Sequence, residues 1–366
     1  VGDAETDQAN RMVDEFVAKQ SSFPIIDSGV AHFVYRGPES DVALACDVFG
    51  ARQERKMLPV GNSDMKYYTL QLEPTQRANY AFLVNFKPQT DKLNDRKMTS
   101  SMYAGEMEFA VRLRNEKPLE MSWFAMSEWN EPTYLSALPD SLYGKVVEDS
   151  LSGESEDQSL PMDVYLPPDY ETATAKKYPV VYVLPQPGMG SSQFIQSADY
   201  LFANPVDGIR PSIIVIPKGR LAPGTEMELV KKIDAKYRTI AERNSRSIVG
   251  FGFTGGAALG VLGSNSEMFG AISAQSPLLF GTDGITKAVE NLKQETRVYL
   301  DWGRFDMHNP VENWDLRKSS KEIFDALASN DKIILSGGMV DDSVDWSSWK
   351  NRFDKVLVTA TAERKN

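Results

Sequence analysis

The chain is poor in the side chains that usually do chemistry. Among 366 residues there are two histidines, His32 and His308, and one cysteine, Cys46. A single cysteine excludes an internal disulfide framework, and its apolar setting, Val42-Ala43-Leu44-Ala45-Cys46, fits a buried thiol rather than a reactive one. No Cys/His cluster fits zinc, and no cofactor is expected. No run of about 18 apolar residues exists, so no helical membrane span is expected. Positive charge is scarce as well: 40 Lys and Arg stand against 51 Asp and Glu, a net charge of −11. That balance disfavours nucleic acid and anionic membrane surfaces as partners, since both are bound by clustered Lys and Arg. No basic-then-apolar leader pattern opens the chain, and Val1 in place of Met suggests a mature or trimmed form. The compartment stays open, with export or a periplasm as the expectation.

What is present is an ordinary globular composition, 42% hydrophobic and 25% charged, with length for one to three domains. The patterning divides in two. Residues 1–20 read as a helix with Met12, Phe16 and Val17 on one face. Short strand patterns follow at 30–36, 41–48, 67–72 and 80–85, separated by turns such as Arg36-Gly37-Pro38 and Gly61-Asn62-Ser63, which predicts a β-sandwich over 1–120. Residues 121–140, with Trp123, Trp129, Pro132 and Pro139, read as an irregular connector. The acidic run 148–157 reads as an exposed hairpin tip or loop.

From about 141 to 366 strands and helices alternate. Tyr178-Pro179-Val180-Val181-Tyr182-Val183-Leu184 and Ser212-Ile213-Ile214-Val215-Ile216 are continuous apolar runs of the kind buried on both faces of a parallel sheet. Further strands are read at 247–251, 269–274, 297–301 and 333–335, and helices at 231–244, 257–263, 319–328 and 346–356. This alternation predicts an α/β domain with a mostly parallel sheet and helices on both faces.

Several segments, in order and spacing, resemble a known family. These are Phe33-Val34-Tyr35-Arg36-Gly37, Asp91-Lys92-Leu93-Asn94, Val164-Tyr165-Leu166-Pro167-Pro168-Asp169-Tyr170, Arg246-Ser247-Ile248-Val249-Gly250, Phe269-Gly270-Ala271, Gly303-Arg304-Phe305-Asp306 and Asp345-Trp346-Ser347-Ser348-Trp349. Together they resemble the esterase D-like branch of the α/β-hydrolases. Over nearly the whole chain they resemble the enterochelin (ferric siderophore) esterases and related two-domain xylan or feruloyl esterases. The resemblance implies an immunoglobulin-like, carbohydrate-module-type sandwich followed by an α/β-hydrolase domain, and carboxylic ester hydrolysis by a Ser-His-Asp triad.

The departures from that family fall on the triad. Its elbow reads Gly-x-Ser-x-Gly-Gly. Aligned on Ile248-Val249-Gly250 and Phe269-Gly270-Ala271, the nucleophile position is Gly252, which has no nucleophilic atom. A competing register, Gly252-Phe253-Thr254-Gly255-Gly256, would make Thr254 the nucleophile, although a β-branched residue resists the strained elbow backbone. The family's histidine precedes Asp-Trp-x-x-Trp. Counted from Gly337-Gly338 its position is Met339; counted back from Asp345-Trp346 it is Val344, and neither accepts a proton. Asp306 matches the triad acid, with a loop-capping carboxylate as the reading preferred here, and His308 is the remaining candidate base. The expected oxyanion turn, Pro185-Gln186-Pro187-Gly188, carries two prolines without N–H groups, leaving Gln186 or Gly188 as donors.

Two functions follow. The first is an inactive esterase homologue that uses a cleft lined by Gln186, Gly188, Phe253 and Trp346 for a small ligand or protein partner, with a homo-oligomer as a further option. The alternative is a carboxylic ester hydrolase working through Thr254 and His308. Asp341, Asp342 and Asp345 offer carboxylates to a cation, but a solvated acidic loop is the expectation, with no metal site.

Overall fold

Every residue is described by the structure, a computed structural model, except 1, 105–107, 110–117, 153–158, 187–188, 205, 220–224, 280 and 364–366. The chain forms two compact units. One comprises Val1–Asn130 with Gly303–Asp315 and Asp341–Asp345; the other comprises Glu131–Trp302, Leu316–Val340 and Trp346–Asn366.

In the first unit, two antiparallel sheets share a core. A four-stranded sheet runs in the order Ile25–Asp27, Val30–Arg36, Met65–Gln71, Leu58–Pro59. The second has Glu108–Phe109, Lys97–Ala104, Pro118–Ala125, Arg77–Val84, Val42–Cys46 and Glu54–Lys56 in order, with Lys87–Gln89 pairing beside Arg77–Val84. Alternate residues point inward from each sheet, so Ala31 and Phe33 meet Val42, Leu44, Tyr80, Phe82 and Phe124. Phe33 packs edge-on to Tyr80 and Phe124, with centroids 4.9 and 5.1 Å apart. Cys46 is buried in this core, and burial pushes its thiol well above the usual range.

Three expectations change here. The first helix, Gly2–Ala18, buries Val13 but leaves Met12 and Phe16 exposed. Polar contacts anchor it instead: Asp14 to Arg36 at 2.9 Å, and the Asp64 N–H to Asn10 at 2.9 Å. The segment read as a connector from 121 is strand as far as Ala125, paired with Arg77–Val84 and placing Phe124 in the core. The acidic run is strand up to Leu151, pairing register by register with Leu160–Leu166; residues 153–157 of it lie outside the described residues.

The second unit is built on one eight-stranded sheet. Its order is Lys145–Leu151, Leu160–Leu166, Ile213–Pro217, Val180–Leu184, Arg246–Phe251, Ala271–Gln275, Thr296–Gly303, Ile333–Val340. Numbered along the chain, that is 1-2-4-3-5-6-7-8, the arrangement of the α/β-hydrolase fold. The first two strands are antiparallel, and the pairs from Ile213–Pro217 through Thr296–Gly303 are parallel. Val180, Val181, Ile213, Ile214 and Val215 are all fully buried. At about 1.5–3 kcal/mol per buried side chain, such runs dominate the sheet's stability.

The helices differ in detail from the sequence reading. Ser191–Ala203 and Asp283–Glu290 are additional, and the helix expected at 231–244 spans Glu226–Lys236, with Glu226 and Glu228 favouring its positive N-terminal end. The last helical stretch is broken into Trp346–Trp349, a 3-10 turn Lys350–Arg352 and Phe353–Thr361. Among the described residues, no helix is long and apolar enough to cross a membrane.

Candidate functional site

The fifth strand of the sheet ends at Phe251 and the helix Phe253–Ser264 begins two residues later, with Gly252 alone at the turn. Its backbone, φ 51° and ψ −117°, lies where side chains are disfavoured and glycine is not. The turn is held by backbone bonds. The Gly252 N–H donates to Gln275 at 3.0 Å, and its carbonyl accepts from Gly255 at 3.1 Å and Leu278 at 3.0 Å. Gly250 allows the sharp return of the chain, since a Cβ there would lie 2.2 Å from the Thr254 carbonyl oxygen.

The space a nucleophile would need is occupied. A Cβ on Gly252 would lie 2.7 Å from Gln186 Oε1 and 3.3 Å from Trp349 Cη2. Gln186 is buried at 1% exposure, and its Oε1 accepts the Phe253 N–H at 2.9 Å. In hydrolase elbows the N–H after the nucleophile serves the oxyanion. Here a side-chain carbonyl from the chain itself takes that donor. Expected as a donor, Gln186 instead acts toward Phe253 as an acceptor.

Trp349 is fixed at both ends. Its indole N–H donates to Ser276 Oγ at 2.9 Å, and its carbonyl accepts from Gln275 Nε2 at 3.3 Å. Gln275 Nε2 also meets Asp301 Oδ2, at 3.2 Å, and that oxygen further accepts from Tyr299 OH and Arg352 Nε, each at 2.7 Å. Burial beside Asp301 pushes the Tyr299 hydroxyl well above its usual value. Phe194, Phe251 and Trp346 form an aromatic cluster with Trp349, with Phe194 4.8 Å from Trp346 and Phe251 5.5 Å from Trp349. Trp346 and Phe253, expected to line a cleft, are half-buried, and Trp346 packs in this aromatic cluster. Gly188 and Pro187 lie outside the described residues.

Thr254 is the second residue of the helix, not the turn residue. Its hydroxyl donates to the Leu184 carbonyl at 2.6 Å and accepts the Phe251 N–H at 2.9 Å. These bonds tie the turn to the neighbouring strand.

The remaining candidates lie in the first unit. Asp306 is buried, and its Oδ2 accepts the Gly303 N–H at 2.8 Å, a cap on its own loop. His308 Nδ1 lies 2.7 Å from the Asp306 carbonyl oxygen; a carbonyl only accepts, so Nδ1 carries the proton. The imidazole packs on Gly50, and the His308 carbonyl accepts the Ala51 N–H at 2.7 Å.

Val344 is buried in loop 341–345 of the first unit, whereas Met339 is exposed on the last strand of the second. The expectation of a solvated acidic loop is overturned. Asp342 and Asp345 are buried at 4% and 1% exposure. Arg77 Nη1 reaches Asp342 at 2.9 Å, Ser100 Oγ donates to Asp345 at 2.7 Å, and Asn79 Nδ2 donates to Ser343 Oγ at 2.9 Å. Asp341 takes Arg304 at 2.7 Å, and the Thr75 hydroxyl together with that guanidinium holds its carboxyl below the usual range. Arg77 also stacks 4.5 Å over Trp123. The sequence reading missed Arg77; its one signal is a charged residue opening the mostly apolar strand Arg77–Val84. Among the described residues no group of three or more His, Cys, Asp or Glu is arranged to hold a metal.

No family model matches the chain. Two curated esterases of Mycobacterium tuberculosis, from strains CDC 1551 / Oshkosh and H37Rv, are 28% identical over 228 residues, covering 54% of this chain and 45% of theirs. The chain thus spans about half the length of the curated relatives it matches. Among solved structures, the ferric enterobactin esterase of Salmonella typhimurium aligns over 95% of this chain and 98% of its own, with TM-score 0.69 at 12% identity. The enterobactin esterase of Shigella flexneri, solved in the presence of enterobactin, aligns over 90% and 92% with TM-score 0.65 at 14% identity. A ferulic acid esterase covers 60% of this chain and 98% of its own, with TM-score 0.50 at 23% identity. The chain has the fold of these esterases.

Proposed function

We propose that this esterase-fold chain is not itself an esterase, and that it keeps the hydrolase scaffold to hold a ligand or a protein partner. The observation that carries the reading is the elbow: Gly252 at the turn, with Gln186 bonded to the Phe253 N–H. A turn without a side chain forms no acyl-enzyme, and the donor that would stabilise an oxyanion already has an acceptor. The Thr254 hydroxyl favours no second reading, because the Leu184 and Phe251 backbone engages it and its backbone is helical.

Turnover tests this. The purified chain is assayed with p-nitrophenyl acetate, a feruloyl ester and enterobactin, the last two chosen from the names of the similar proteins, beside Thr254→Ala and His308→Ala. The expected result is no saturable hydrolysis by any of the three proteins. Saturable hydrolysis that one of these substitutions abolishes would return the chain to the ester hydrolases.

A further inference from the structure

The turn Asp47–Phe49 of the first unit carries a carboxylate that the elbow does not use. Asp47 is 6% exposed. Its Oδ2 accepts the Asn79 N–H at 3.1 Å, and the Ser343 hydroxyl donates to the same carboxylate. Ser343 in turn accepts from Asn79 Nδ2. Asp47 therefore joins three elements: its own turn, strand Arg77–Val84, and loop 341–345.

The charges that face it do not neutralise it. From the strand, Arg77 favours the charged form of Asp47, but its guanidinium is bonded to Asp342, and among the described residues no salt bridge reaches Asp47. From the loop, Asp345 faces it with a like charge. On its own element the neighbour is the Cys46 thiol, which burial keeps protonated. An ionised carboxylate buried without a partner is costly. The hydrogen bonding points the same way. Asn79 Oδ1, on the residue that holds Asp47, is buried and has no donor. The cluster thus holds more acceptors than donors.

We propose that Asp47 carries a proton while loop 341–345 is closed over it, and that its ionisation loosens the loop, making the cluster a pH-sensitive latch. Opening the loop is the least disruptive way to hydrate the charge, because it also moves Asp345 away. Burial, the largest cause, raises the Asp47 carboxyl to about 7. The sign follows from linkage. A carboxyl raised on closure gives stability that is full below its free value near 4 and is lost as pH rises through about 7.

Amide hydrogen exchange on the full chain, read by mass spectrometry on peptides spanning 338–348 and corrected for intrinsic rates, tests the latch. Protection is expected to fall about tenfold per pH unit between pH 5 and 6.5 and to flatten above pH 7. Asp47→Asn, which mimics the neutral form, should remove that fall. Protection that is flat or rising from pH 5 to 7, or a fall that persists in Asp47→Asn, would overturn the proposal. Should Asp47→Asn fail to fold, the carboxyl carbon shifts of 13C-aspartate in the unaltered chain decide. One buried aspartate titrating near pH 7 supports the latch; all titrating below pH 5 refutes it.

Discussion

The turn at Gly252 and the loop 341–345 contrast in what they have retained. The turn has the backbone of a hydrolase elbow and no reactive side chain. The loop has four ionisable or hydroxyl side chains in five residues, Asp341, Asp342, Ser343 and Asp345, and each is bonded within the first unit. The backbone of the turn is fixed by packing and main-chain bonds, which need no side chain at Gly252. The polar groups of the loop serve cohesion.

The comparison breaks most readily at Arg77. Arg77→Ala should destabilise the first unit by about 3–5 kcal/mol, because it leaves Asp342 buried without its guanidinium. Urea unfolding followed by tryptophan fluorescence checks this, since Trp123 lies under the same guanidinium. A loss under about 1 kcal/mol would mean that the loop is not held as described.

At the turn, Gly252→Ala should cost about 1–3 kcal/mol. The positive φ strains any L side chain, and the methyl group meets Gln186 and Trp349. A neutral or stabilising result in thermal unfolding would show that neither the backbone nor the occupied space is as described.

Thr254→Val sharpens the point further. It should cost about 1–3 kcal/mol by leaving the Phe251 N–H and Leu184 carbonyl without their hydroxyl partner. The same variant should leave any trace of hydrolysis unchanged, which separates a structural hydroxyl from a nucleophile. The smallest effect is expected from Gly252→Ser. A serine without a base is a poor nucleophile, so its ester hydrolysis should stay within about tenfold of background in a p-nitrophenyl acetate assay.

Much of this contrast could be read before the fold was known. The apolar runs at 180–184 and 213–217 marked central strands because both of their faces are buried. Gly250 fixed the register that puts Gly252 at the turn. The occupant of the turn was not legible, because Gln186 lies 67 residues from the N–H it accepts and its role depends on which atom faces inward. Loop 341–345 was misread as solvated for a similar reason. Asp342 looks exposed in a row of carboxylates when its cation, Arg77, is 265 residues away. The end of the strand Pro118–Ala125 was hidden by Trp123 and the tryptophan and prolines that follow it, which local pattern assigns to irregular chain.

The central claim is that the elbow has kept its geometry without its chemistry. Intact-mass spectrometry after treatment with a fluorophosphonate probe tests it most directly, because the probe reports an activated hydroxyl without requiring the right ester. No adduct is predicted on the unaltered chain at probe concentrations that fully label an active serine esterase. A stoichiometric single adduct, mapped to one residue and lost when that residue is changed to alanine, would contradict the account.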